Sequence, residues 1–302
     1  VIELAAGAYR AVVSPVGAAL VSLTHDGRDL VRHHPDDPLA PLYRGAVLAP
    51  WPNRIRDGRY AFAGTEHRLP VNDHDHGCAL HGLVLWTTWS TVEASATAVT
   101  LLATVAPQPG YPWGLDLVAE YELDEAGLRQ RVTAHNTGET TAPYGVSIHP
   151  YLVAGDGPVD DWALDLPAAQ VLDVDPDRLL PVGLQGVADA GLDFRGGAPV
   201  GARAIDHAFG AVAFHAGTGH ARAELRAGDG RGVAMTWDRA CPWVQVHTTD
   251  LPGRPLHRSA LALEPMTCPP DAFNSGTDVV ALAPGRHHVA WWRVQALGPG
   301  RG

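Results

Sequence analysis

The chain has 302 residues, a length that allows two average domains or one large all-β unit. With 46% apolar and 18% charged residues it can bury a sizeable core, and 33 acidic against 22 basic residues give a net charge of −11. Every basic residue is arginine, so Schiff-base chemistry, a P-loop lysine and a lysine general base are excluded, while the charge disfavours nucleic acid and anionic lipid as partners.

The opening VIELAAGAYRAVVSP lacks a basic flank before an apolar segment, and the longest runs free of both charged and turn residues fall far short of the ~20 residues of a membrane helix. The expectation is an unexported protein of the cytoplasm. Segment 97–105 is the first clear strand. Residues 114–123 then alternate, with Leu115, Leu117, Ala119, Tyr121 and Leu123 on one face and Asp116, Glu120 and Glu122 on the other. Asp124 to Gly127 turns the chain, and 128–134 returns as the second arm of a hairpin. Short strands are predicted at 162–166, 211–215, 221–225, 232–237, 243–248, 260–264 and 288–297. The 33 glycines and 25 prolines punctuate these segments instead of gathering into linkers, and no helical period persists over four turns. The expected fold is all-β, a large antiparallel β-sandwich forming a single domain over 1–302. Cys78, Cys241 and Cys268 have no CxxC or zinc-ribbon spacing and read as reduced structural thiols.

Sixteen histidines invite a metal reading. Asp73-His74-Asp75-His76 followed by His81 has HxH spacing and a third imidazole, the pattern of a cupin-like site. The stretch is polar and turn-like, which favours a hydrated loop. His33-His34 and His287-His288 are adjacent pairs, whose side chains on a strand point to opposite faces and make poor chelates.

Three segments set a polar residue in an apolar or constrained context. In 49–64 two prolines lock the approach to Asn53 and Arg54; in 146–152 His149 ends an apolar run at Pro150; in 261–276 Glu264 follows an apolar run and precedes Pro265. A charge so placed is costly unless paired or used. Each also has a purely structural explanation: Glu264 or Arg54 in an ion pair, His149 as a satisfied core histidine.

Together the segments resemble the aldose 1-epimerases, the galactose mutarotase family, over nearly the whole chain and in family order. The elements are Asn53-Arg54-Ile55 with RDGRY after it, His81-Gly82, His135-Asn136-Thr137, His149-Pro150-Tyr151, Asp206-His207, the WVQVHT strand at 243–248 and EPMTCPPDAFNSG from Glu264. The resemblance implies the galactose mutarotase-like supersandwich, a sugar cleft on one sheet, and interconversion of the α and β anomers of a free aldose without metal, nucleotide or other cofactor. Glu264 is then the general base for the C1 hydroxyl and His149 the general acid for the ring oxygen. Arg54, His81 and Asp206 bind sugar hydroxyls, His81 also polarising the ring oxygen, and Asn53 braces its loop. Trp51, Trp243 and Gln245 are either an aromatic wall and polar rim or core, and stand outside the expected site.

Acid catalysis by His149 requires it to be protonated, which predicts a carboxylate nearby raising its pKa, with Glu264 across a sugar-sized space. Two departures bear on sugar identity: Leu152 after Tyr151, and Met266 where the family often has glutamine. His81-Gly82-Leu83-Val84-Leu85 carries no arginine, favouring an unphosphorylated sugar, although Arg56 and Arg59 keep a hexose-6-phosphate epimerase open. A non-catalytic sugar-binding or sugar-sensing protein on the same scaffold, and a metal-dependent isomerase or lyase at His74, His76 and His81, also fit these residues. Monomer and homodimer are both compatible with the sequence.

Overall fold

The alternation at 114–134 produces the hairpin that seeds the largest sheet. In the computed structural model, which describes residues 1–33 and 41–299, Leu115–Asp124 pairs antiparallel with Gly127–Asn136, and its even-numbered positions are exposed or half-buried while the odd ones are buried. Extension on both sides gives nine strands in the order Ser90–Ala94, Ala98–Val105, Leu115–Asp124, Gly127–Asn136, His287–Leu297, Gly232–Trp237, Ala221–Arg226, Ala163–Asp165 and Ala198–Pro199. The C-terminal strand thus lies beside the central hairpin.

A six-stranded antiparallel sheet packs against it, ordered Tyr151–Leu152, Leu261–Met266, Trp243–His247, Asp206–Val212, Ala168–Val174 and Pro181–Gly186. Side chains on one face of a strand recur every second residue, so Leu261, Leu263 and Pro265 share a face with Val244 and Val246 of the next strand. These positions are at most 1% exposed where apolar and join the main core, which also holds Trp237 and Trp292 of the larger sheet. The Trp292 indole N–H donates to the Pro265 carbonyl at 3.1 Å and ties the sheets together. The architecture is the large antiparallel β-sandwich expected from the sequence.

An N-terminal sheet of Ile2–Ala6, Tyr9–Ser14, Ala19–His25 and Arg28–Asp29 flanks these layers. The buried Tyr121 hydroxyl accepts from Gln130 Nε2 (2.6 Å) and donates to the Ala18 carbonyl, securing that sheet. The predicted strand at 211–215 is corrected: the strand is Asp206–Val212, and the His215 N–H bonds the His220 carbonyl across a turn. The polar Asp206-His207 step and Gly210 disguise its true beginning. Cys78, Cys241 and Cys268 are buried free thiols. Among the described residues no helix is long and apolar enough to cross a membrane.

Candidate active site

The second face of the six-stranded sheet carries Ala262, Glu264 and Met266 beside Trp243, Gln245 and His247, then Asp206 and Ala208, with Gln245 opposite Glu264 and Asp206 opposite His247. Loops from 43–54, 80–82 and 149–151 close over one end. The result is a cleft of about 120 Å³ whose lining includes Arg54, His81, His149, Asp206, Gln245 and Glu264. All five residues predicted for the site therefore meet in one place.

His81 is set by local backbone chemistry. Its own amide donates to the Asn53 carbonyl (2.9 Å), and the Asn53 amide donates to His81 Nδ1 (3.2 Å). Nδ1 is therefore an acceptor and the imidazole proton sits on Nε2. Burial, followed by His149 and Arg54, pushes the His81 pKa well down, so it stands as a neutral donor. Glycine after it is required: Gly82 has φ +80, and a Cβ there would lie 2.0 Å from the Ala49 carbonyl oxygen. Asn53, also at positive φ (54°), braces its loop by accepting the Arg54 amide on Oδ1 at 2.9 Å.

Arg54 enters from the short strand Arg54–Arg56, and its Nε donates to Asp73 Oδ2 at 2.9 Å. Asp73 Oδ1 is 2.7 Å from His76 Nδ1. Burial works to raise the Asp73 carboxyl, but the bonds and charge of His76 and Arg54 prevail and hold it below its ordinary value. The acidic-histidine stretch that suggests a metal thus aims an arginine. Among the described residues no three His, Cys, Asp or Glu side chains gather as a metal-holding group. The His33-His34 pair is only partly covered, since His34 lies outside the described residues.

His149 and Glu264 form the centre. Their side chains are 6% and 2% exposed, and His149 Nε2 lies 3.3 Å from Glu264 Oε1. The imidazole stacks on Tyr151 (centroids 5.1 Å, 12°) and meets His81 edge-on at 5.2 Å. Two expectations are corrected. The pair is in direct contact, not separated by a sugar-sized gap. Nor is His149 raised: burial, aided by His247, lowers it to about 3, and burial together with Asp206 pushes Glu264 well above its ordinary value against the opposing pull of Arg54. Desolvation in so enclosed a place outweighs mutual attraction, and both groups are driven toward their neutral forms.

Of the nine buried side-chain polar atoms without a hydrogen-bond partner among the described residues, three belong to cleft side chains: His149 Nδ1, Glu264 Oε2 and Gln245 Oε1. Gln245 is held by its amide nitrogen, Nε2 donating to Asp206 Oδ1 at 2.6 Å. Its place in the lining, with that of His247, is a gain over the sequence prediction, and the period-2 pattern of 243–248 is the signal for it. Tyr43 also lines the cleft, its ring 4.8 Å from His81, and nothing in the sequence points to it. Of the two departures, Leu152 is buried in the main core facing away from Tyr151, and Met266 packs under Trp243 with Ala208 and Leu172.

The model of the aldose 1-epimerase family matches residues 1–295. The chain belongs to that family. It is 38% identical over 296 residues to the uncharacterized protein YihR of Escherichia coli K12, covering 97% of this chain and 92% of that protein. Among solved structures it resembles the GalM/aldose epimerase homologue of C. elegans (TM-score 0.85, 21% identity, 99% of each chain). It also resembles the galactose 1-epimerase of Lactobacillus acidophilus (TM-score 0.79, 19% identity, 98% and 94% of the chains). Membership of this family suggests carbohydrate epimerase activity and a small sugar as substrate.

Proposed function

We propose that this protein is a mutarotase that interconverts the α and β anomers of a free, unphosphorylated aldose. The observation that carries this reading is the 3.3 Å contact between a buried imidazole and a buried carboxyl in a cleft with unpartnered polar atoms. Anomerisation removes a proton from the C1 hydroxyl and delivers one to the ring oxygen, and those two oxygens share a single carbon. An acid and a base that serve them must be neighbours, so the direct contact suits the chemistry better than a wide separation would.

Proton counting reconciles the pKa directions with the assigned roles. A carboxylic acid beside a neutral imidazole holds the same number of protons as a carboxylate beside an imidazolium. Burial by itself favours the neutral arrangement. Sugar hydroxyls donating to Glu264 Oε2, with Arg54 nearby, stabilise the carboxylate and move the shared proton to His149. Glu264 then takes the C1 hydroxyl proton and His149 Nε2 protonates the ring oxygen. The ring opens, the aldehyde turns about C1–C2, and the steps reverse on its other face. Each group contributes ~10²–10⁴-fold.

In the same proposal His81 donates from Nε2 to the ring oxygen or an adjacent hydroxyl, and Arg54, Asp206 and Gln245 hold the remaining hydroxyls. Arg56 is a poor phosphate ligand, because its Nε already pairs with Asp271 Oδ2 at 3.3 Å. We read residues 1–302 as one domain, since a single core cluster runs from Leu4 to Val294. Polarimetry on freshly dissolved α-glucose, α-galactose and glucose 6-phosphate tests the reading. Catalysed decay of rotation for a free sugar is expected; acceleration confined to the 6-phosphate would overturn the unphosphorylated substrate, and none at all would overturn the activity.

A further inference from the structure

The cleft holds one imidazole that the proton transfers described above do not use. His247 is half-buried and follows Gln245 on the cleft face, and the strand registers set it in the row Tyr151, Ala262, His247, Asp206 across four adjacent strands. Directly opposite residues on one face of an antiparallel pair have Cβ atoms ~4.5–5.5 Å apart, so His247 and Asp206 serve one small volume. Both line the cleft. Yet among the described residues they make no hydrogen bond or ion pair with each other, and the His247 imidazole has no hydrogen-bond partner. Asp206 Oδ1 is taken by Gln245 Nε2 at 2.6 Å, which leaves Oδ2 for a ligand.

The pair is held in place. Beside it the Thr248 hydroxyl accepts the Ile205 amide at 2.8 Å and the Thr248 amide donates to the Ile205 carbonyl at 3.0 Å, locking the two strands in register. Tyr151 meets His247 edge-on with ring centroids 6.5 Å apart, and the same Tyr151 ring stacks on His149. One ring thus sets where His247 stands relative to the acid of the reaction. Glu264 lies diagonal to His247 across the strand pair, ~7–8 Å away, so the C1 hydroxyl and a hydroxyl at His247 are different groups on the sugar. A sugar hydroxyl both donates and accepts, a carboxylate only accepts, and an imidazole carries at least one N–H. A hydroxyl placed between Asp206 Oδ2 and the His247 N–H has both capacities met.

We infer that His247 is a specificity residue, which together with Asp206 reads one sugar hydroxyl other than that on C1 as donor and acceptor at once. This deepens the mutarotase reading and rests on it for the ligand being a free aldose. Calorimetric titration of the full chain with glucose and its 2-, 3-, 4- and 6-deoxy analogues tests it on wild type, His247→Leu and His247→Gln. His247→Leu is expected to weaken glucose and three of the analogues about tenfold, the size of one lost hydrogen bond. The fourth analogue, which lacks the hydroxyl that His247 reads, is expected to keep its wild-type Kd, and that Kd also shows the variant to be folded. His247→Gln retains an N–H donor and is expected to recover part of the loss. If each variant weakens all five sugars alike or none, or if wild type binds none of them, the inference is overturned. Anomeric-exchange NMR on the same samples keeps the two readings apart. The selective pattern without catalysed exchange removes the mutarotase and supports the role of His247, whereas catalysed exchange with uniform losses removes the role of His247 alone.

Discussion

On the core face of the six-stranded sheet, Leu263, Val244 and Val246 are buried among apolar partners, whereas one residue along the same strands Glu264 and Gln245 are about as buried and each keeps an unpartnered oxygen. An unpaired buried polar atom costs ~1–3 kcal/mol. On these two strands the unpartnered oxygens lie on the cleft face, where hydroxyl groups of a ligand can offset the cost, while other unpartnered atoms among the described residues, such as Trp89 Nε1 and Tyr144 Oη, lie in the main core away from these strands. The contrast teaches that burial alone does not mark a structural residue. What separates the faces is whether the polar groups are satisfied.

The largest separation between the faces should come from truncation. Leu263→Ala leaves a cavity in the core and is expected to lower unfolding free energy by ~2–5 kcal/mol in denaturant titration, while activity per folded molecule stays near wild type. A loss of activity with stability intact would mean that the core face also shapes the cleft chemistry.

A smaller, graded effect follows from pH. His149 titrates near its ordinary 6.5 in the unfolded chain but at about 3 when folded, so the unfolded state takes up its proton first and stability falls as pH drops below 6.5. Glu264 is raised on folding, so it opposes folding increasingly as pH rises above its unfolded value of 4.5. Each contributes at most about 1.4 kcal/mol per pH unit. His149→Asn should therefore flatten the acid side of the stability profile and Glu264→Gln the neutral side, relative to wild type, in denaturation at pH 5 and pH 8. Parallel profiles for all three proteins would contradict the shifts.

Much of the molecule is legible in the sequence, for physical reasons that also explain the gaps. Clean alternation at 114–134 announces the central hairpin, but Ala168–Val174 and Pro181–Gly186 mix polar residues and glycine into partly exposed strands, and the pattern predicts neither. Glu264 and His149 stand out because a charge or imidazole beside proline in an apolar run needs a reason. Arg54 stands out by its proline-locked approach, while its role in binding sugar, and the choice of His81 and Asp206, rest on the family resemblance. Distances between strands are not written in a linear pattern, so the direct His149–Glu264 contact and its effect on protonation emerge only in three dimensions. Tyr43 belongs to the short turn Pro41–Tyr43, with φ 58° at Leu42 and 60° at Tyr43, and no periodicity delivers such a residue to a site.

The most direct test of the central claim pairs two readouts on Glu264→Gln: anomeric exchange by NMR and unfolding free energy at pH 7. The account predicts that kcat falls by ~10²-fold or more while stability is unchanged or rises, because the variant loses a proton carrier and an ionisable group that burial disfavours. Exchange near the wild-type rate, or activity lost only in step with stability, would contradict it.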